Sequence, residues 1–241
     1  MIRAGAQSSE QAITLRDVAF TWPGRAPFTL RVPAFDLARG ERLFLLGESG
    51  SGKSTLLSLI CGINLAHQGR VEVGGTDLSA LSAPARDRFR AEHIGVIFQM
   101  FNLLPYATPL ENVLLPLSFA RARRRQLADP RAEALRLTTA LGLDEALVTQ
   151  ARAAELSIGQ QQRVAAARAL IGAPSLIIAD EPTSALDAAR QGAFLDLLMT
   201  QAEAAGASLL MVSHDARLAD RFDRVLDLAQ IATTERGRKA G

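Results

Sequence analysis

Arg42–Ser54 reads RLFLLGESGSGKS, and the organisation of the chain can be worked outward from it. RLFLL is a short unbroken apolar run, the pattern of a strand buried on both faces. GESGSG is a Gly/Ser loop, and Lys53–Ile60 (KSTLLSLI) has helical character. Strand, glycine loop and helix in that order are the setting in which Gly47–Ser54, a match to G-x-x-x-x-G-K-[ST], carries chemistry. Glycines let backbone N–H groups turn inward around an anion, and the helix N-terminus adds positive potential. In that geometry Gly47, Glu48, Ser49, Gly50, Ser51 and Gly52 line a phosphate cradle, with Thr55 just beyond it. Lys53 reaches the β- and γ-phosphates of a nucleotide, and Ser54 places its hydroxyl on Mg2+.

A second apolar run, Leu176–Glu181 (LIIADE), delivers two adjacent carboxylates to a strand end, where ligands sit in open α/β sheets. Asp180 suits the Mg2+ shell, usually through water, and Glu181 suits orienting the attacking water. Side chains of adjacent strand residues point to opposite sides, so both can serve one site only if the chain turns there. Ala12–Phe20, Phe28–Leu37, Arg70–Val73 and Ser208–Val212 also read as strands, and Ala188–Ala205 as a helix. Between about Ala83 and Ala153 Arg- and Ala-rich helical text dominates, with loops expected at Pro105–Pro109 and Asp129–Pro130 and a helix at Leu135–Ala146. Strands alternating with helices predict an α/β fold with a mostly parallel sheet.

Composition narrows the classes. The chain has 241 residues, 48% apolar and 22% charged, which excludes a disordered chain, a collagen and a disulfide scaffold. A net charge of +2 is too balanced to argue for nucleic acid, and no nucleic-acid partner is expected. Lys53 and Lys239 are the only lysines among 27 basic residues. Cys61 lies in an apolar run and is expected to be a buried packing residue. The first residues carry no apolar signal region, and no run is long enough to span a membrane. The run Arg121–Arg125 (RARRR) is expected to be a solvated helix face. His67 and His93 are expected to be structural.

Leu156–Arg163 reads LSIGQQQR, and with it the chain resembles the ATP-binding cassette (ABC) ATPases, whose signature is LSGGQ. The resemblance runs from about Ile13 to Asp227. It rests on Trp22, GESGSGKST at Gly47–Thr55, FQ ending at Gln99, LSIGQ at Leu156–Gln160, LIIADEPTSALD at Leu176–Asp187 and SHD at Ser213–Asp215, in family order. It implies a P-loop NTPase (RecA-like) core, an N-terminal antiparallel β subdomain and a helical insert. Residues 12–229 would form one nucleotide-binding domain, with the core in 12–88 and 166–229 and the insert in 89–165. Residues 1–11 and 230–241 would be flexible tails.

The resemblance also implies roles. Trp22 would stack on adenine. Gln99 would touch Mg2+ or the attacking water, and His214 would hold the γ-phosphate and that water. Ser157 and the Gly159 amide would donate to a γ-phosphate, with Gln160 continuing into the helix, and Asp187 would reach across a dimer. Glu181, His214, Gln99 and Lys53 are thus the expected catalytic residues, ATP and Mg2+ the cofactors, and Ser54, Gln99 and Asp180 the metal contacts. Two copies would close head-to-tail on two ATP molecules. Ile158 departs from the signature glycine and must point away from the nucleotide. A groove near Met100–Tyr106 (MFNLLPY) would receive an integral-membrane permease subunit, placing the protein at the cytoplasmic face of the inner membrane. IGVIFQMFNLLPYATPLENVLLPL is similar to the lipoprotein-releasing, macrolide-export and cell-division branch, while an importer or a cell-division-type regulator remains an alternative. A DNA-repair or translation role would need long coiled coils or a second cassette, neither of which is in this chain. After DRVLDL the family has a turn such as DGR. This chain has AQIATTERGRKAG, so its last strands are expected to be missing or altered.

Overall fold

The computed structural model describes residues 11–24, 26–184 and 188–236. In chain order these form β1 (Gln11–Trp22), β2 (Phe28–Ala38), β3 (Arg42–Leu46), α1 (Lys53–Ile60), β4 (Gln68–Val73), β5 (Thr76–Asp77) and α2 (Ala83–His93). There follow β6 (Ile94–Ile97), α3 (Pro109–Leu114), α4 (Arg121–Arg125), α5 (Pro130–Ala140), α6 (Glu145–Gln150) and α7 (Ile158–Leu170). The chain continues through β7 (Leu176–Asp180), α8 (Ala188–Ala204), β8 (Ser208–Ser213), β9 (Arg224–Asp227), α9 (Leu228–Ile231) and β10 (Thr233–Arg236). Backbone contacts divide the chain into two compact units, residues 1–87 with 210–241, and residues 88–209. The second unit therefore runs beyond 165, where the sequence reading ended the insert.

The first unit holds an antiparallel sheet in the order β10-β2-β1-β4-β5. Ile13 and Leu15 of β1 and Leu30, Val32 and Leu37 of β2 are fully buried. The last strand is present after all. β10 pairs antiparallel with β2, from Thr233 opposite Arg31 to Arg236 opposite Phe28. The segment expected to be a loose tail from 230 onward thus carries regular structure as far as Arg236. β3 pairs in parallel with β9, and its Leu43, Phe44 and Leu45 are completely buried, as an unbroken apolar run demands.

In the second unit β6 pairs in parallel with β7, whose Ile177, Ile178 and Ala179 are fully buried. α7 packs on β6 so closely that a Cβ at Gly95 would stand 2.1 Å from the Ala169 carbonyl oxygen; only glycine fits there. Helix starts in this unit follow side-chain caps. Asp129 accepts from the Arg131 and Ala132 amides with Pro130 at the first helical position, so α5 begins five residues before the expected helix at Leu135. Thr108 and Glu111 form a capping box around Pro109, which starts α3 where the sequence suggested only loop.

The run Arg121–Arg125 is a helix with one inward residue. Arg123 is buried and donates to the carbonyls of Ala91 and Ile171. Burial pushes its guanidinium down to about 10, against the raising influence of Glu92. The expectation of a wholly solvated face fails at this position, because backbone carbonyls can accept from a buried guanidinium without a carboxylate.

Candidate nucleotide site

In the first unit β3 delivers the glycine loop and α1 begins at Lys53, as the sequence predicts. Gly50 and Gly52 sit at φ 76° and 104°, in the region glycine alone enters cheaply. Gly52 is the N-cap of α1 and gives it no side-chain bond, and no acidic residue lies in the first turn. The positive end of the helix is therefore not quenched locally. Lys53 is buried, and its Nζ donates to the carbonyls of Gly47 at 2.6 Å and Glu48 at 3.0 Å. Ser51 Oγ is buried with no hydrogen-bond partner among the described residues. A buried ammonium, an orphaned hydroxyl and an uncapped helix start are groups that a polyphosphate satisfies, so the loop fits the nucleotide the sequence expects. Ser54 is exposed beside them.

Trp22 is the last residue of β1, two positions beyond the expected strand end at Phe20, and it is 42% exposed. Its Nε1 donates to Thr55 Oγ1 at 3.0 Å. Its ring meets Phe20 edge-on, with centroids 5.1 Å apart. Phe20 in turn stacks on His67, whose Nδ1 accepts from the Thr21 amide. His67 is thus a packing residue behind the aromatic, in keeping with its expected structural role. His214 follows β8 and is exposed. Its neighbour Asp215 caps the turn at 216–221 and pairs with Arg217, whose hydrogen bond holds the carboxyl below the usual aspartate range.

In the second unit Asp180 ends β7, and Glu181 adopts φ 45°. A left-handed residue directly after a strand breaks the alternation, which is the turn that two adjacent carboxylates require. Two glutamines pin this turn. Gln162 of α7 donates to the Pro182 carbonyl at 2.7 Å, and Gln191 of α8 to the Thr183 carbonyl at 3.2 Å. Sequence reasoning passed over both. The available signal for Gln162 was a polar residue on the face of α7 that otherwise carries Ala165, Ala166 and Ala169.

Gln99 is exposed just after β6. Beyond it Phe101 and Asn102 have φ 57° and 48°. Arg168 of α7, buried, donates to the carbonyls of both. Burial alone holds its guanidinium below the ordinary arginine value. Within MFNLLPY the side chains divide: Met100 and Tyr106 are 80% and 73% exposed, whereas Phe101 is buried. Phe101 is therefore a core residue, not the surface contact that the sequence suggested.

Ser157 is the N-cap of α7 in a capping box. Its hydroxyl accepts from the Gln160 amide, while Gln160 Oε1 accepts from the Ser157 amide at 2.9 Å. The hydroxyl proton is not used by this cap and remains able to donate. Gly159 is half-buried and Ile158 exposed, so the substituted side chain does not block the start of the helix. Asp187 lies outside the described residues. Among the described residues no group of three or more His, Cys, Asp or Glu gathers as a metal site. No helix among the described residues is long and apolar enough to cross a membrane.

Comparison with known proteins gives a coherent result. The ABC transporter family profile matches residues 30–184. The lipoprotein-releasing system ATP-binding protein LolD of Xanthomonas euvesicatoria pv. vesicatoria is 37% identical over 232 residues, covering 94% of this chain and 93% of the relative. The uncharacterized ABC transporter ATP-binding protein YbbA of Escherichia coli is 44% identical over 190 residues, covering 79% and 81%. The dimeric post-hydrolysis structure of the ATP-binding cassette MJ0796, bound to ADP and Pi, superposes with a TM-score of 0.74 at 33% identity, covering 89% of this chain and 93% of that one.

Proposed function

Because this chain belongs to the ABC transporter family, we propose that it is the ATP-binding subunit of a lipoprotein-releasing or related export complex, hydrolysing ATP in a head-to-tail dimer. The observation that carries the reading is the loop Gly47–Thr55, with its buried Lys53, orphaned Ser51 hydroxyl and uncapped helix. Lys53 and the loop amides bind the triphosphate, and Trp22 offers its face to the base. Glu181 orients the attacking water, and His214 and Gln99 hold it near the γ-phosphate. Ser54, Gln99 and Asp180 would hold Mg2+, which would supply neutralisation of the phosphate charge. Ser157 and the Gly159 amide of one copy reach the nucleotide held by the other, with Gln160 fixing the cap and Asp187 reaching across. There is little covalent work for the protein. It positions water and compensates developing charge.

Binding closes the dimer because both faces contact the γ-phosphate, and hydrolysis removes that bridge. The permease would dock on the exposed Met100 and Tyr106, placing the subunit at the cytoplasmic face of the inner membrane. The test is Glu181→Gln under saturating MgATP. A dimer in size-exclusion chromatography, and co-purification of a membrane subunit by the wild-type chain, are expected. A variant that stays monomeric would overturn the composite site.

A further inference from the structure

We propose that Arg236, on the C-terminal strand, is a positioning residue of the phosphate cradle, so that the last strand of this chain forms part of its nucleotide site. The inference deepens the reading of Gly47–Thr55 as a triphosphate site and rests on it. Arg236 lies in the unusual tail AQIATTERGRKAG.

β10 adds to the edge of the antiparallel sheet beside β2. Strand alternation puts Thr234 and Arg236 on one face. Both meet the glycine loop. A Cβ at Gly52 would lie 3.5 Å from Thr234 Cγ2, and one at Gly50 would lie 2.7 Å from Arg236 Nη2. Arg236 Nη2 donates to the Gly50 carbonyl oxygen at 3.0 Å. The guanidinium is placed for this by the Phe28 ring of β2, with Cζ 5.8 Å from the ring centroid.

The peptide it grips is a consequential one. The Gly50 carbonyl belongs to the same peptide unit as the Ser51 N–H, which closes the loop onto the Glu48 carbonyl at 3.2 Å. A cation on the carbonyl polarises that unit and strengthens its N–H as a donor. Gly50 is thereby held in its left-handed conformation from outside the loop. The loop itself carries one cation, Lys53, and one anion, Glu48, and Arg236 tips the local sum positive. Its other N–H donors have no protein partner among the described residues. A fixed positive charge beside a polyphosphate site favours ligands by their phosphate charge and leaves the base unaffected.

The experiment compares wild type, Arg236→Ala and Arg236→Lys as full chains, reading the fluorescence of Trp22, the single tryptophan, during titration with MgATP, MgADP and adenosine. Arg236→Ala is expected to weaken MgATP binding roughly 3- to 10-fold, MgADP less and adenosine not at all. Arg236→Lys should recover part of the loss, and the wild-type advantage should shrink with added salt. Because the side chain is exposed, the melting temperature should hold. Wild-type affinity for MgATP in Arg236→Ala would overturn the proposal, as would an equal loss for adenosine. Failure of the wild type itself to bind MgATP would instead sink the cradle reading on which the proposal stands.

Discussion

Arg168 Nη1 donates to the carbonyl oxygen of Asn102 at 2.7 Å, so the last turn of α7 grips the chain three residues after Gln99. Phe101 accepts from the same guanidinium, and both accepting residues have positive φ. α7 begins at the Ser157 cap, so one helix carries the signature at its start and supports the Gln99 loop at its end.

The first prediction follows. Arg168→Met removes the donor and leaves two carbonyls short of partners, at a cost of about 2–3 kcal/mol in urea unfolding. Asn102→Gly in that background should restore about 1 kcal/mol, because glycine takes positive φ without the penalty of a side chain. A double variant less stable than Arg168→Met alone would show that the left-handed turn is not what Arg168 supports.

The second concerns docking. Met100→Glu with Tyr106→Glu changes two exposed side chains, so ATP binding and melting temperature should be preserved while capture of the membrane subunit is lost. Phe101→Arg should instead destabilise by about 3–5 kcal/mol, since it removes a core ring and buries a charge. Retained capture by the double glutamate variant would move the permease contact elsewhere.

How much of this was legible in the sequence depends on how local the cause is. α1 begins at Lys53 as read, because the strand, the glycines and the helix are consecutive. The left-handed Glu181 was implied by two neighbouring carboxylates needing one side of the chain. Arg123, Gln162 and Arg168 were not legible. Each is a polar side chain that donates to backbone carbonyls between 20 and 67 positions away, and nothing beside it in sequence announces the acceptor. α5 was misplaced for the opposite reason. Asp129–Pro130 is a local signal, but cap and turn chemistry use the same residue types. β10 was missed because its four residues, TTER, are all exposed and show no apolar alternation.

The third prediction uses the single tryptophan. Trp22 Nε1 is held by Thr55 Oγ1, which orients the indole face. Thr55→Val removes that acceptor. Emission should change in the free protein, and affinity for MgATP should fall about 5-fold, corresponding to one hydrogen bond. Thr55→Ser should behave as wild type. If valine leaves both emission and affinity unaltered, the bond does not position the ring.

The last prediction concerns acid stability. Glu92, at the end of α2, accepts from the Ala122 amide at 2.9 Å and the Arg123 amide at 3.1 Å, and so caps α4 from another part of the chain. Burial acts to raise its pKa, but those amides, with the charges of His93 and the Arg121 amide bond, outweigh it and hold the carboxyl below the ordinary glutamate value of 4.5. A native value below the unfolded one means that the unfolded chain takes up the proton first. The carboxylate therefore stabilises the fold fully above about pH 4.5, and that contribution is lost as pH falls through the lowered native value. Glu92→Ala should cost about 1 kcal/mol at pH 7, the usual worth of a helix cap. The gap between variant and wild type in urea unfolding should narrow steadily below pH 4.5, because the protonated carboxyl holds the two amides less strongly. A gap that stays constant across that range would mean that Glu92 acts through packing and that its charge contributes nothing to the cap.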